Sequence, residues 1–328
     1  MTARKRTKKQ AVLVTGSAGF IGFHLAQKLL KAGFTVVGLD NLNDYYDPKL
    51  KEARNALLKK NKDYVFYKLD LVEKTKLVDL FDKYRFDYVV HLAAQAGVRY
   101  SLTNPDAYQA SNLEGMLNIL ECARAYPPKH LLFASSSSVY GNNRPGKNGY
   151  SETDRVDNPI SLYAATKKSD ELMAHTYCHL FGLNISGFRF FTVYGPWGRP
   201  DMAYFSFSEA LFDGQPIRIF NHGKMWRDFT YIDDITSGLL KAIKKPAGYQ
   251  IYNLGNNQPV LLSRFVETLE KFGKRKFVKK YESLQPGDVL KTHANIDKAK
   301  EVLGYDPKTP IEAGLKKFML WYKQYHKN

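Results

Sequence analysis

Tyr163 and Lys167 stand four residues apart in Tyr163-Ala164-Ala165-Thr166-Lys167. A helix repeats every 3.6 residues, so both side chains would project from one face. A phenol ionises near pH 10, and a neighbouring ammonium favours the phenolate and lowers that value. A tyrosine held this way can take a proton near neutrality. The spacing alone says little, because a tyrosine and a lysine on an exposed helix face produce it as well. Two companions give it weight. One is a glycine-rich turn that begins at Gly16, and the other is the serine run Ser135 to Ser138 at the end of an apolar stretch.

The elements that must bring these groups together are legible in the apolar pattern. Residues 11–14 read as a strand, followed by the turn Thr15-Gly16-Ser17-Ala18-Gly19-Phe20-Ile21-Gly22. A helix is expected over 20–32, with Leu25, Leu29 and Leu30 inward and Gly33 ending it. Residues 35–39 form a second strand that closes on Asp40. Strand, glycine turn, helix, strand and acid is the dinucleotide-binding order. The glycines let a pyrophosphate approach the backbone, and the helix start offers it free N–H groups. The spacing here is Gly-x-x-Gly-x-x-Gly, a departure from Gly-x-Gly-x-x-Gly. An acid at position 40 suits ribose hydroxyls and repels a 2′-phosphate, which favours NAD over NADP.

Residues 41–60 read as a polar insertion and then a charged helical stretch. The third strand, 64–69, closes on Asp70, which either caps the next helix or meets the adenine end of a dinucleotide. The fourth, 88–92, runs into Ala93-Ala94-Gln95-Ala96-Gly97, small enough to admit a ligand. A helix over 105–126 carries Asn112. The fifth strand, 131–134, delivers Ser135 to Gly141, the helix of Tyr163 runs over 161–181, and 184–191 is the sixth strand. This alternation predicts an α/β, Rossmann-like, doubly wound parallel sheet with its ligand at the strand ends. His175 and His179 have metal-ligand spacing, but Thr176 stands where a zinc-protease motif has Glu, so no metal is expected. After residue 194 the alternation breaks down. Helices near 203–213, 233–244, 263–272, 297–303 and 311–325, with strands near 217–220 and 251–254, suggest a smaller irregular α/β domain. The expected division is a disordered basic tail at 1–10, a nucleotide-binding domain at 11–191 and a substrate domain at 192–328, with about 228–255 returning to the first.

The 328 residues suffice for a large core, and 44% hydrophobic with 25% charged residues is ordinary for a globular protein. No apolar run reaches the roughly 18 residues that would span a bilayer, and no signal peptide is evident. Cys122 and Cys178 lack ligand spacing and read as reduced thiols of a cytoplasmic protein. The formal charge of +17 includes Arg4, Lys5, Arg6, Lys8 and Lys9 in the tail. Such a field favours anionic partners, nucleic acid or a nucleotide-linked substrate. No nucleic-acid motif accompanies it, so specific nucleic-acid binding is not expected and generic basicity is the simpler account.

Thr15 to Gly22, Ser135 to Gly141 and Tyr163-x-x-x-Lys167 together resemble the extended short-chain dehydrogenase/reductase family, over nearly all the chain after residue 10. Within it, three segments resemble the UDP-glucuronate 4-epimerases: Leu39 to Asp47, Ala96 to Ser101 and, most specifically, Arg189 to Met202. The resemblance implies a retained NAD and a 4-epimerisation of UDP-glucuronate to UDP-galacturonate through a 4-keto sugar. It makes Tyr163 the base, Lys167 its partner and the holder of the nicotinamide ribose, and Ser136 a hydrogen-bond donor to the reacting oxygen. It places NAD against Gly16, Gly19, Phe20, Ile21, Gly22, Asp40, Asn41, Asn43, Asp70, Leu71, Leu92, Ala93, Ala94, Gln95, Asn112, Tyr163 and Lys167.

A 4-keto glucuronate is a β-keto acid and loses CO2 when its carboxylate bond aligns with the carbonyl π-system. An epimerase must hold the carboxylate out of that alignment. Hydroxyls and a cation suit the task, and the resemblance offers Ser137, Ser138, Thr192 and Arg199; Arg199 could instead be a surface residue of a Gly/Pro loop. It also gives Arg227 to the pyrophosphate, Arg218 and Phe220 to the uracil and Asp288 to the nucleotide ribose. Gln285 stands where several relatives have an arginine, and Arg99 could compensate. Ser137 and Ser138 replace the Asp-Glu pair of 4,6-dehydratases, and Ser138 replaces the Glu of UDP-glucuronate decarboxylases. UDP-galactose 4-epimerase is the nearer alternative, and a non-catalytic NAD(P)-binding scaffold the remote one. The family also implies a homodimer through the helices 105–126 and 161–181.

Overall fold

The computed structural model describes residues 9–283 and 290–326. Its centre is a seven-stranded sheet, and every neighbouring pair in it is parallel. In chain order the first half gives β1 (Ala11–Thr15), α1 (Phe20–Lys31), β2 (Thr35–Asp40), α2 (Pro48–Lys59), β3 (Tyr64–Lys68), α3 (Lys74–Tyr84) and β4 (Tyr88–His91). There follow α4 (Pro105–Tyr108), α5 (Gly115–Ala125), β5 (His130–Ser136), α6 (Leu162–Phe181) and β6 (Ile185–Phe190). The strand order is β11-β6-β5-β4-β1-β2-β3, with β11 the late strand Tyr249–Leu254. It reverses direction between β1 and β4, the crevice where doubly wound sheets bind ligands.

Helices cover both faces, so the strands are apolar on both sides. Alternate residues point opposite ways. Val12 and Val14 enter one hydrophobic cluster with Phe23, Leu25 and Leu29 of α1. Leu13 enters the other, with Leu77 and Phe81 of α3 and Met116 and Ile119 of α5.

The second half adds β7 (Thr192–Tyr194), α7 (Ala203–Asp213), β8 (Pro216–Phe220), β9 (Trp226–Arg227), β10 (Phe229–Tyr231) and α8 (Ile232–Ala242). It ends with β11 (Tyr249–Leu254), β12 (Val260–Leu261), α9 (Leu262–Gly273), β13 (Val278–Glu282) and α10 (Ile311–Tyr325). β11 joins β6 as the seventh strand of the main sheet. The remaining strands pair two by two: β10 with β7, β12 with β9 and β13 with β8. Phe205 of α7 meets Phe318, Trp321 and Tyr322 of α10, closing this part with aromatic contacts.

Two expectations change. The stretch 105–126 is not one helix. Asn104 caps α4, and a π turn, Gln109–Glu114, separates it from α5. Such turns widen a helix and often occur at functional sites; this one carries Asn112. The expected helix at 297–303 is also largely a π turn, Ala299–Leu303.

Candidate functional site

A cleft of about 1020 Å3 runs along the carboxyl ends of the strands. At one end lies the glycine turn. Gly16 has φ +67°, and a Cβ there would lie 2.8 Å from the Ala93 backbone nitrogen. A Cβ on Gly22 would lie 2.1 Å from the Gly16 carbonyl oxygen. Turn and helix therefore pack closer than any side chain allows. No side chain caps α1, whereas Asp47 caps α2 and Ser161 caps α6. The first N–H groups of α1 are thus left to an anion.

Asp40 is buried beside this turn. Its carboxylate accepts the Ala18 N–H at 3.1 Å and the Leu42 N–H at 2.9 Å. Burial pushes its pKa up, against these hydrogen bonds and the Lys51 charge. Two bonds leave lone pairs for ribose hydroxyls. Asn41 donates to Asp70 at 2.7 Å. Asp70 lines the cleft, and it also accepts the Val72 N–H, closing the turn before α3; Glu73 is the residue at the α3 cap. Asn43 accepts from Lys51. Leu71, Leu92, Ala93, Ala94 and Gln95 form the middle of the wall. Asn112 accepts the Gln95 N–H at 2.8 Å and donates to Thr166 of α6 at 3.0 Å, so it ties the β4 exit to the Tyr163 helix. The uncapped helix, the glycine cradle and the half-used acid fit an NAD molecule laid across the β1/β4 crevice.

Tyr163, Lys167 and Ser136 line the same cleft. Ser136 ends β5 and accepts from the Ser138 N–H at 3.1 Å and the Ser138 hydroxyl at 2.9 Å. Its own hydroxyl hydrogen is left to donate to a ligand. Ser135 points away, donating to buried Glu171, which also pairs with Arg189 of β6 at 2.8 Å. Lys167 is buried and donates to Asp170 at 3.0 Å. Tyr108 of α4 sets its ring edge against Tyr163, with centroids 6.1 Å apart. His91 is wholly buried; burial and then the Lys167 charge push its pKa down to about 3, so it is neutral.

Ser137, Ser138, Thr192 and Arg199 line the cleft beside this group. Arg199 is a cleft residue and not a surface one: its side chain is 24% exposed and forks onto Asp201. Tyr45 donates to the same Asp201 at 3.2 Å, and its ring lies tilted against Tyr100 with centroids 4.8 Å apart. Arg99 also lines the cleft, with its guanidinium 5.9 Å from the centre of the Phe220 ring. Arg218 lies over the same ring at 5.1 Å and pairs with Glu282. Arg218, Phe220 and Arg227 are not among the residues lining the cleft. They lie on β8 and β9. Asp288 and Gln285 lie outside the described residues.

The sequence reading missed the parts that hold this end together. Arg54, in the stretch read simply as charged, is 0% exposed. It donates to the Ala18, Trp197 and Gly198 carbonyls and to the Tyr46 hydroxyl. One guanidinium therefore joins the glycine turn, the 41–47 insertion and the Arg199 loop. Nothing local marks it, since it sits among exposed charges. Tyr45, Lys51, Tyr108, Asp170 and Asp201 were likewise not singled out. Among the described residues no cluster of His, Cys, Asp and Glu could hold a metal.

Residues 12–255 match the model of the NAD dependent epimerase/dehydratase family. The chain belongs to that family. This NAD-dependent epimerase/dehydratase is 54% identical to an uncharacterized protein of Methanocaldococcus jannaschii, over 96% of this chain and 97% of the relative. It is 50% identical to UDP-glucuronate 4-epimerase 1 of Arabidopsis thaliana, over 96% of this chain and 77% of the relative. Its fold superposes on UDP-glucuronic acid 4-epimerase of Bacillus cereus, solved in complex with UDP-glucuronic acid and NAD, with a TM-score of 0.90. Identity there is 33%, covering 96% of this chain and 100% of the other.

Proposed function

We propose that this protein interconverts UDP-glucuronate and UDP-galacturonate by inverting C4, with NAD as a retained cofactor. The observation that carries this reading is the joint placement of Arg199, Ser137, Ser138 and Thr192 beside Tyr163, Lys167 and Ser136 in one cleft. The similarity to the Arabidopsis and Bacillus cereus enzymes supports it.

The Tyr163 phenolate takes the proton of the sugar 4-hydroxyl and, as the hydroxyl so formed, later returns it. When bound, NAD supplies a hydride acceptor and donor for C4. Lys167 holds the Tyr163 side of the site and the nicotinamide ribose. Ser136 donates its free hydroxyl hydrogen to the 4-oxygen, whichever face the sugar presents. Arg199 and the Ser137, Ser138 and Thr192 hydroxyls hold the carboxylate away from alignment with the 4-carbonyl. The neutral serines at 137 and 138 lack the acid/base groups that elimination requires. Arg218, Phe220, Arg227 and Asp288 are assigned to the UDP half, and Arg99 joins it at the Phe220 ring. The working division is residues 11–191 for NAD and 192–328 for the UDP-sugar, with β11 returned to the sheet.

A specific observation keeps UDP-glucose as a second substrate candidate. Asp201 already neutralises Arg199, so an uncharged CH2OH group is tolerable there. Proton NMR with each nucleotide sugar, without added NAD, decides. Growth of UDP-galacturonate from UDP-glucuronate supports the proposal. UDP-pentose with CO2, or turnover of UDP-glucose alone, overturns it.

A homodimer is part of the proposal. Leu117 on α5 and Leu172, Leu180 and Phe181 on α6 are exposed at 42–62%, an apolar surface suited to the same helices of a second copy related by a two-fold axis. Sedimentation at micromolar concentration should give twice the chain mass. A cytoplasmic setting accords with the free thiols of Cys122 and Cys178. No described helix is long and apolar enough to cross a membrane.

A further inference from the structure

Asp170 lies one turn beyond Lys167 on α6, and its side chain is 1% exposed. One oxygen, Oδ2, accepts from Lys167 Nζ at 3.0 Å. The other, Oδ1, is buried with no hydrogen-bond partner. Half of this carboxylate is thus left unsatisfied, an expensive arrangement in a protein interior. A merely structural acid would be expected to satisfy both oxygens, as the next residue does: Glu171 binds Ser135 and Arg189 through both of its own.

We propose that Asp170 is a positioning residue for the catalytic pair: its carboxylate anchors Lys167 Nζ and screens the ammonium charge from the Tyr163 hydroxyl. The proposal rests on Tyr163 being the proton carrier of the reading above. A residue that must take a proton in one half-reaction and return it in the other works best when neither form is overstabilised. An unscreened ammonium would bias it toward the phenolate. A buried anion in contact with the ammonium offsets that bias.

The other charged groups around the pair do not duplicate this role. Glu171 faces Asp170 from the same helix, but its charge is matched by Arg189 of β6 and approached by Lys168. Tyr249 of β11 donates to the Glu171 backbone carbonyl. His91 of β4 faces Lys167 and is neutral. On the cleft side, Tyr108 of α4 and Arg199 face Tyr163, and Arg199 is paired with Asp201. Burial pushes the Asp170 pKa up to about 6, with Lys167 opposing, so its charge is present at neutral pH and fades as the solution is acidified.

The test is the isosteric Asp170→Asn, with Asp170→Thr as a second neutral variant and Asp170→Glu as the charge-retaining control. Two readouts are taken on the protein as isolated with its NAD. The first is the acidic limb of kcat/KM against pH. The second is the titration midpoint of the Tyr163 ring carbon bearing oxygen, followed by 13C NMR and assigned by its loss in Tyr163→Phe. In either neutral variant both should move about one pH unit lower, and Asp170→Glu should restore them. An unchanged midpoint, or one that moves upward because Lys167 loses its charge without Asp170, overturns the proposal. The NMR midpoint needs no substrate, so it separates failure of this inference from failure of the substrate assignment.

Discussion

The two ends of the cleft are built on different principles. The end proposed for NAD comes from short, contiguous stretches at strand ends: the glycine turn after β1, Asp40 at the end of β2, Asp70 after β3 and Ala93 to Gln95 after β4. One parallel sheet places them all, so position in sequence nearly dictates position in space. The end proposed for the sugar comes from stretches far apart in the chain, held by buried polar struts. Arg54 grips residues 46, 197 and 198 of this end through three bonds and ties them to Ala18 of the glycine turn through one. Asp228, 0% exposed, accepts the N–H groups of Asn256, Asn257 and Ala294. An end built by the sheet is expected to tolerate change around it, whereas an end built by struts should fail when one is removed.

The largest expected effect belongs to neither end alone. Tyr163→Phe should lower kcat by roughly 10³-fold with the fold and bound NAD intact, as steady-state assays and circular dichroism would record. Residual turnover within tenfold of the wild type would remove Tyr163 from its role. Arg54→Met probes the strut directly. It should destabilise the protein by about 3 kcal/mol or more, because four oxygens lose a charged donor in a dry site. Among molecules still folded, the KM for UDP-glucuronate should rise more than NAD is lost. Equal loss at both ends would mean that the two ends are not built differently.

Arg199→Gln sharpens it further. Loss of a charge-assisted clamp should lower kcat/KM for UDP-glucuronate by roughly 10- to 100-fold, and part of the product should be UDP-pentose. A product that remains wholly epimerised would move the clamp to the hydroxyls of Ser137, Ser138 and Thr192.

The smallest effect at working pH comes from the sheet. Burial pushes His91 to about 3 and His130 to about 4. Each binds fewer protons folded than unfolded between those values and about 6.5. Their contribution is therefore complete above pH 6.5 and is lost as pH falls toward 4, on the order of 3 kcal/mol for each histidine. Urea melts at pH 7 and pH 4.5 should differ accordingly. His130→Gln, which removes one such group, should flatten the difference.

The same contrast explains what the sequence disclosed. The sheet, the glycine turn and Asp40, the serine run at the end of β5 and the Tyr163–Lys167 face all follow from local periodicity and turn chemistry, and the structure has them in one cleft. Arg54, Asp170 and Asp201 draw their meaning from partners brought by folding, and their local context resembles any charged surface. The π turn at Asn112 was hidden for a related reason, since apolar spacing fits a continuous helix and a widened turn equally well. Arg218, Phe220 and Arg227 came through resemblance alone, because no local pattern marks a uracil or pyrophosphate contact.

The most direct test of the account uses UDP-glucuronate carrying deuterium at C4, in ordinary water, with purified protein and no added NAD. Proton and deuterium NMR should show UDP-galacturonate accumulating to a constant ratio with the deuterium still on C4. Deuterium washed into solvent, or a product unchanged at C4 or shortened by one carbon, would contradict it.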